Sequence, residues 1–495
     1  MTLSCPPESH VLAAVLIPFI GALLIPVFHQ APNPREAVTL ATAGALFLTV
    51  LSLIGPVLAG ARPEAMNIPV VPGLALAFKV EPLGLLFALV ASTLWIVNSV
   101  YSIGYMRGND EPRQTSYYVC FAVALGCTIG IAFAKNLFTL FLFYEALTLS
   151  TYPLVTHKAN GEAIRGGRIY LLLLLGTSLV LLLPAIVITW VLAGTIEFTP
   201  GGILEGKASS AVIGLLLALY AFGIGKAALM PLHFWLPAAM VAPTPVSALL
   251  HAVAVVKAGV FTIVKVVVYV FGVDVLRTSE HSGWLIYVAG ATVIVASLVA
   301  LRQDNLKKLL AYSTVSQLSY VVLAAAILTP ISVIGAALHI AAHAVSKITL
   351  FFAAGSIYTA AHKTEISDMK GIGRRMPWTM GAFSIGALSM IGLPPTAGFL
   401  GKWFMLTGAM QTGQWFAVAV IVVSTVLNAS YFLPILVTAF LRKPDDNSHE
   451  KHHAHGEAPW PIVLALTATA IGTVALFWLP DVPLALARQM LEGDK

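Results

Sequence analysis

The chain has 495 residues, of which 58% are hydrophobic and only 10% charged, and its formal net charge is +6. Soluble proteins carry about 25% charged residues, so this composition excludes a soluble globular protein and favours one whose solvent is lipid. The basic residues form no aromatic-interleaved stripe, which excludes a nucleic-acid-binding surface.

Apolar runs follow one another along almost the whole chain. A bilayer core of about 30 Å requires about 20 mostly apolar helical residues, and we find about fourteen such runs, called spans 1 to 14 below. No Lys or Arg precedes span 1, so we expect it to be retained rather than removed as a signal peptide. The spans lie near residues 9–28, 38–59, 82–104, 116–133, 136–156, 169–194, 210–241, 244–273, 283–301, 306–328, 331–358, 379–408, 414–441 and 460–482.

Lysine and arginine are distributed unequally between the loops. Loops after odd-numbered spans hold about 16 of them, whereas loops after even-numbered spans hold about 5. Cytoplasmic loops of membrane proteins carry the excess of basic residues. We therefore expect the odd loops to be cytoplasmic and both termini to lie on the outer side of a bacterial inner membrane.

No cofactor or metal site is indicated by the sequence. The three cysteines form no C-x-x-C pair, and no Gly-rich dinucleotide loop or P-loop is present, so we expect no cofactor and no metal. The longest polar stretch, Arg442–Pro459, is interpreted as a solvated loop that binds metal only adventitiously. The cysteines are Cys5, Cys120 and Cys127, and the histidines of the polar stretch are His449, His452, His453 and His455.

Five basic residues fall inside the spans, and all five are lysines. Arginine stays protonated, whereas a buried lysine can release its proton, so this choice indicates proton exchange. Each costs roughly 3 kcal/mol to insert and is a functional candidate by default. An ion pair that only fixes helix packing is the alternative. Snorkelling to the surface is an equally good interpretation for Lys265, near its helix end, but not for the other four, which lie deeper or beside helix breaks. The five are Lys226, Lys257, Lys265, Lys347 and Lys402.

Spans 7 and 12 are each interrupted by proline next to a lysine. Lys226 precedes Pro231 in span 7, and Pro394 and Pro395 precede Lys402 in span 12. Proline inside a span frees backbone groups that must then face protein or water. Paired broken helices indicate inverted repeats with ion sites near the midplane, and two proline-kinked packing helices are the alternative.

Acidic and imidazole groups accompany these lysines. Glu145 in span 5 is expected to be the most deeply buried acid, with Lys226 as its partner. His339, His343 and Lys347 repeat every four residues and share one helix face. Because His251 lies six residues before Lys257, about 120° around the helix, those two need not point together. Buried histidines beside lysines favour proton hopping, although a single one is more often a satisfied core residue.

Several segments together resemble the antiporter-like subunits of respiratory complex I. The same family includes large subunits of Mrp-type cation/proton antiporters and of energy-converting hydrogenases. The resemblance spans roughly residues 80–410 and implies an all-α fold of fourteen transmembrane helices. In that fold, helices 4–8 (116–273) and 9–13 (283–441) are inverted repeats between residues 1–115 and 460–495. The segments are LFLFYEALTLSTYPLV, GIGKAALMPLHFWLP, PTPVSALLHAVAVVKAGV, DNLKKLLAYSTVSQLSY, HAVSKITLFFAAG and GLPPTAGFLGKW.

The resemblance also implies which residues transfer protons. A lysine in broken helix 12, together with the absence of a long C-terminal lateral helix, is similar to the D-type large subunits of Mrp antiporters. Secondary candidates are His339, His233 and Lys265. The family's functional positions fall on Glu145, Lys226, Lys257, His251, His343, Lys347 and Lys402.

These observations lead to one functional hypothesis and several alternatives. We expect a subunit of a Na⁺/H⁺ antiporter that works with other membrane subunits and with protons, Na⁺ or K⁺. Glu145 would keep Lys226 protonated, and weakening that pair would pass the proton to Lys257, then by His343 and Lys347 to Lys402. The main alternative is a proton-pumping subunit of a complex I-like NADH:quinone oxidoreductase or an energy-converting hydrogenase. Three other classes are less consistent with the sequence. A solute transporter would cluster its charges at one site, and a quinone- or haem-binding subunit would need a cofactor motif. A purely structural membrane scaffold would have no reason to tolerate five lysines inside its spans.

Overall fold

The computed structural model describes residues 6–443 and 456–492. Eleven helices in these ranges are long and apolar enough to cross a membrane, which confirms the prediction of a multi-pass helical membrane protein. Cys5 and the four histidines of the polar stretch lie outside the described residues. The eleven are Pro7–Phe28, Pro32–Leu58, Pro82–Gly108, Gln114–Ala132, Leu137–Val155, Gly161–Ala193, Thr244–Phe271, Leu306–Ala326, Pro330–Ala361, Trp415–Phe440 and Trp460–Trp478.

The other predicted spans contain shorter helices. Span 9 is the helix Trp284–Ala300, and span 7 begins with Ser210–Gly223 before the chain turns irregular. Span 12 consists of two helices, Pro377–Ile391 and Ala397–Gln411. The predicted interruptions of spans 7 and 12 are therefore present, whereas a count of fourteen and the inverted repeats stay predictions.

Polar side chains cap several helices at their N-terminal ends. The side chains of Asn136, Asn160 and Asn305 each accept a hydrogen bond from a backbone N–H three residues later. Thr329 and Ser332 cap each other reciprocally at the start of span 11. The first N–H groups of a helix have no partner within it, so these caps determine where the spans begin.

A small hairpin interrupts the helical pattern and was not predicted. Strands β1 (Glu64–Val71) and β2 (Leu74–Lys79) pair antiparallel around Gly73, whose φ is +82°. The Ala77 carbonyl accepts a hydrogen bond from the Lys135 backbone N–H, which ties the hairpin to the loop before span 5.

The remaining short helices are Trp235–Ala238, Val273–Thr278, Ile372–Arg375 and Asp481–Gln489, with 3-10 turns at Gly225–Ala227, Ala239–Val241 and Ile366–Met369.

Spans 8 and 11 form the centre of the molecule. The most apolar stretch of Thr244–Phe271 is entirely buried, so this helix is surrounded by protein rather than lipid. Pro330–Ala361 has 32 residues and is therefore about 48 Å long. It packs against spans 3, 8, 10, 12 and 14. The lysines of spans 7, 8, 11 and 12 are all buried inside the protein.

Candidate functional site

Lys226 lies in the break of span 7 and is held by span 5. The side chain is completely buried, and its Nζ donates to the Tyr144 carbonyl (2.9 Å) and to Thr148 Oγ1 (2.6 Å). Nζ also lies 3.3 Å from the centre of the Tyr144 ring. The Lys226 backbone N–H, freed by the break, donates to the Tyr144 hydroxyl at 3.1 Å. Neutral and aromatic groups therefore hold this lysine.

Glu145 does not form the ion pair that the sequence suggested. Neither of its carboxylate oxygens has a hydrogen-bond partner among the described residues, and no ion pair joins it to Lys226 there. Tyr144 occupies the contact face of span 5, and the next residue is turned by about 100° from it. Glu145 is also not the most buried acid, because Glu81 and Glu36 are 3% and 4% exposed, whereas Glu145 is only partly buried.

Lys257 connects span 8 to span 11. Its Nζ forms a hydrogen bond with His343 Nδ1, so spans 8 and 11 meet at this pair. Two residues further on, a Cβ at Gly259 would lie 2.3 Å from the carbonyl carbon of Lys226. Only glycine permits so close an approach. Span 8 therefore passes directly against the break that holds Lys226.

Lys402 lies at the second break. Its Nζ donates to the carbonyls of Met390 (3.0 Å) and Ile391 (2.9 Å), the last two residues of the helix Pro377–Ile391. The final carbonyls of a helix lack internal partners and form the negative end of its dipole, so they stabilise a cation. Gly392 follows at φ +92°, and a Cβ there would lie 2.7 Å from Lys402 Cδ. The break itself thus forms this lysine site.

Lys347 and the histidines complete the set. Lys347 Nζ donates to Ser313 Oγ at 2.9 Å. His339 Nε2 forms a hydrogen bond with Gln317 Oε1 at 3.0 Å, and its ring centre lies 6.1 Å from that of His343. These contacts extend the connection from Lys257 along span 11 towards span 12.

Two other candidate histidines lie apart from these direct contacts. His251 packs on the Phe351 ring at 5.1 Å, and neither of its ring nitrogens has a hydrogen-bond partner among residues 6–443 and 456–492. His233 packs against Phe234 and Tyr312, with ring centres 4.2 Å and 6.1 Å away. Within the described residues no hydrogen bond joins either histidine to a span lysine.

Lys265 is buried and ion-paired, so the snorkelling interpretation is wrong. Its exposure is 0%, its Nζ lies 3.0 Å from Glu81 Oε2, and it donates to the Ala134 carbonyl at 2.8 Å. The Phe198 ring centre is 4.2 Å away. Glu81 was missed because it directly precedes the helix Pro82–Gly108 and looks like a loop residue. The one available signal was that a nearby anion favours the charged form of a buried lysine.

The other four lysines form what we call the lysine row. In the part of the chain that the structure describes, none of the four has a carboxylate within ion-pair distance. The same ranges contain no group of three or more His, Cys, Asp or Glu that could hold a metal ion. The row consists of Lys226, Lys257, Lys347 and Lys402.

A cavity of about 540 Å³ opens at the loops after spans 5, 9 and 11. Thr244, at the start of span 8, also lines it. Nearby, burial raises the pKa of the Glu111 carboxyl, which the charges of Lys158 and Lys307 partly oppose, and burial lowers the pKa of His157. Water therefore has space to reach the end of span 8. The basic residues that line the cavity are Lys158, Arg165, Lys307, Lys308 and Lys363.

Comparisons with known proteins identify relatives along most of the chain. A family model described as NADH:quinone oxidoreductase/Mrp antiporter, TM, matches residues 134–428. NADH-quinone oxidoreductase subunit N of Desulforudis audaxviator is 34% identical over 378 residues, which cover 75% of this chain and 74% of that protein. A Na⁺/H⁺ antiporter subunit (type A) of Alkalihalophilus pseudofirmus is 28% identical over 94% of this chain, which spans 60% of that longer protein.

A solved structure has the same fold over its whole length. A chain of the Mrp complex from Dietzia sp. matches with a TM-score of 0.86 at 21% identity, covering 99% of this chain and 97% of that one. The matched region of the family model includes all four residues of the lysine row.

Proposed function

Because this chain belongs to the NADH:quinone oxidoreductase/Mrp antiporter transmembrane family, we propose that it carries protons across the membrane as one subunit of a multisubunit Na⁺/H⁺ antiporter. The observation that carries this proposal is the lysine row, whose buried ammonium groups contact carbonyls, hydroxyls and an imidazole instead of carboxylates. Such a lysine is not fixed by an anion, so it can gain and lose a proton.

Protons reach the row from the cavity. Thr244 lines the cavity, and Ser247 and His251 follow on the same side of span 8 at helical spacing. All three are buried. Water and hydroxyl groups thus bridge the cavity to His251, which accepts a proton and passes it to the lysine row.

Transfer then follows the contacts between spans. Lys226 passes its proton to Lys257 where span 8 packs against the break of span 7 at Gly259. Lys257 and His343 exchange the proton across their hydrogen bond, and Lys347 receives it one helical turn further along span 11. Lys402, held by the open end of the helix before it, is the last site. Approach of Glu145 towards Lys226 stabilises the ammonium form there, so the charge at one site changes the proton affinity of the next.

The loops after spans 5, 9 and 11, which border the cavity, belong to the odd-numbered loops that carry the excess of basic residues, and they face the cytoplasm in this proposal. Both termini then lie on the outer side of a bacterial inner membrane. The 34% identity to a subunit of an NADH-quinone oxidoreductase favours a second candidate, a proton-pumping subunit of a redox complex. The same row serves either role, and the partners determine which it is.

The test begins with purification of the chain from its own membrane in mild detergent. Small membrane subunits without iron–sulfur or flavin proteins support the antiporter, whereas peripheral redox subunits in equal amounts support the second candidate. The purified complex is then reconstituted in vesicles, and proton exchange is measured with a pH-sensitive dye after addition of Na⁺ or K⁺.

Lys226→Ala is the decisive variant. We expect it to slow proton transfer roughly 100-fold, the lower range for loss of a positioned acid–base group. Lys207→Ala is the matched control, because Lys207 is an exposed loop lysine and its removal leaves the rate unchanged. Proton transfer by Lys226→Ala at the wild-type rate would falsify the role of the row.

A further inference from the structure

Uncharged polar groups connect the last two lysines of the row. Lys347 Nζ donates to Ser313 Oγ at 2.9 Å, and the Tyr431 hydroxyl lies 3.1 Å from that same oxygen. The Tyr431 hydroxyl also lies 2.5 Å from Asn428 Oδ1. We call Ser313, Tyr431 and Asn428 the polar bridge. All three are at most 3% exposed, so bulk water does not compete for these bonds.

The bridge ends on the carbonyl that holds Lys402. Asn428 Nδ2 donates to the Met390 carbonyl at 3.3 Å, and Lys402 Nζ donates to it at 3.0 Å. Gln317 Nε2 donates to it as well, at 3.3 Å. A carbonyl oxygen has two lone pairs, so these three donors compete for it.

A single proton decides how the bridge is oriented. The Tyr431 hydroxyl carries one hydrogen, so it donates either to Ser313 or to Asn428, but not to both. When Lys347 is an ammonium, it donates to Ser313 Oγ, and the serine hydroxyl can donate to Tyr431, which then donates to Asn428. When Lys347 is a neutral amine, it accepts from Ser313, and Ser313 in turn accepts from Tyr431.

From this geometry we infer that Tyr431 is a positioning residue that couples the proton occupancy of Lys347 to that of Lys402. An Asn428 amide that accepts from Tyr431 becomes a stronger donor, because hydrogen bonds in a chain polarise one another. It then competes more strongly for the Met390 carbonyl, and Lys402 is held more weakly. A charged Lys347 thus favours a neutral Lys402, and a neutral Lys347 favours a charged one. No proton passes through the amide, and only hydroxyl hydrogens reorient.

This inference rests on the proposed function and adds a residue to it. The titratable groups at the bridge are Lys347 on span 11, which bonds to Ser313, Lys402 on span 12, which shares the Met390 carbonyl with Asn428, and Tyr320 on span 10. Tyr431 itself is on span 13, beside the Phe432 ring. Because the bridge residues are on spans 10 and 13, the coupling does not require either lysine-bearing helix to move.

The test compares Tyr431→Phe with Tyr220→Phe in the reconstituted complex. Both variants remove one buried tyrosine hydroxyl, but the Tyr220 hydroxyl bonds to Thr189 and to the Ala185 carbonyl, and among the described residues it has no hydrogen bond to a lysine of the row or to the polar bridge. We expect Tyr431→Phe to assemble normally but to transfer protons roughly tenfold more slowly, within the range for coupled polar neighbours. Its rate should also stay near its maximum over a narrower pH range, because the two lysines then no longer disfavour each other's protonation and titrate over closer pH values. Tyr220→Phe should match the wild type in both properties.

A second comparison separates the bridge from a merely structural role. Groups that act in one chain are not additive, so Ser313→Ala combined with Tyr431→Phe should be no slower than the slower single variant. The inference is overturned if the rate losses of the two single variants multiply in the double variant, or if Tyr431→Phe keeps the wild-type rate and pH profile. If Lys226→Ala retains transfer in the same vesicles, the proposed function fails. If Lys226→Ala abolishes transfer and Tyr431→Phe does not alter it, only the bridge fails.

Discussion

Breaking the buried ion pair of Glu81 and Lys265 should destabilise the protein by an amount that depends on pH. Glu81→Gln preserves the side-chain shape but removes the carboxylate 3.0 Å from Lys265 Nζ, which leaves the ammonium with the Ala134 carbonyl and the Phe198 ring. Removing one partner of a buried pair costs about 3–5 kcal/mol. The other charged groups at this site, Arg62 and Lys79, are cations and cannot replace the carboxylate.

The chemistry of lysine limits this cost. The loss cannot exceed the free energy of releasing the Lys265 proton to water, about 1.36 kcal/mol per pH unit below lysine's ordinary pKa near 10.4. The limit is therefore about 4.6 kcal/mol at pH 7 and about 1.9 kcal/mol at pH 9. With an unfolding entropy of about 2.1 cal/mol/K per residue, 495 residues give about 1 kcal/mol/K, so we expect Tm to fall by about 4 °C at pH 7 and about 2 °C at pH 9.

Thermal unfolding of the detergent-solubilised complex at both pH values measures this effect. The double variant Glu81→Gln/Lys265→Met should unfold within about 1 °C of the wild type, because neutral groups then replace both charges. Asp274→Asn is the surface control, since its pair with Arg277 lies at an exposed site where a pair is worth about 0.2–1 kcal/mol. A loss in Glu81→Gln that is equal at both pH values, or a double variant as unstable as the single one, would contradict this reasoning.

Two further predictions concern the lysine row. Gly259→Ala places a Cβ 2.3 Å from the Lys226 backbone, so it should cost about 1–3 kcal/mol of stability and slow proton transfer. In the same assays Gly176→Ala should be neutral or slightly stabilising, because a Cβ at Gly176 has no atom within 4 Å. Lys257→Arg keeps the charge but cannot release its proton, so it should abolish proton transfer in assembled complexes. Lys207→Arg is the control and should leave transfer unchanged. Transfer by Lys257→Arg at the wild-type rate would show that this position needs only a charge.

The membrane spans could be predicted because composition alone determines them. Runs of about 20 apolar residues identified the helices, and Pro231, Pro394 and Pro395 identified the two breaks that the structure contains. The buried lysines were recognised for the same reason, since charge is rare in such runs. Their roles as proton carriers stay predictions.

Contacts between distant segments could not be predicted. Glu81 meets Lys265 only after spans 3 and 8 pack, and Glu145 misses Lys226 because Tyr144 occupies the contact face of span 5. The hairpin Glu64–Lys79 was missed because Pro69, Pro72 and Gly73 interrupt any regular alternation. The polar bridge was missed because serine, tyrosine and asparagine in a span carry no charge to draw notice.

The burial of span 8 has a consequence for the biogenesis of the protein. A helix that never touches lipid in the finished molecule must still leave the translocon, and its two lysines each oppose insertion by about 2.5–3.5 kcal/mol. Glu81 precedes Lys265 in the chain, so that anion is already synthesised when span 8 emerges. His343, the partner of Lys257, is synthesised later. Span 8 therefore docks on its N-terminal neighbours first, and the end bearing Lys257 is completed only when span 11 arrives.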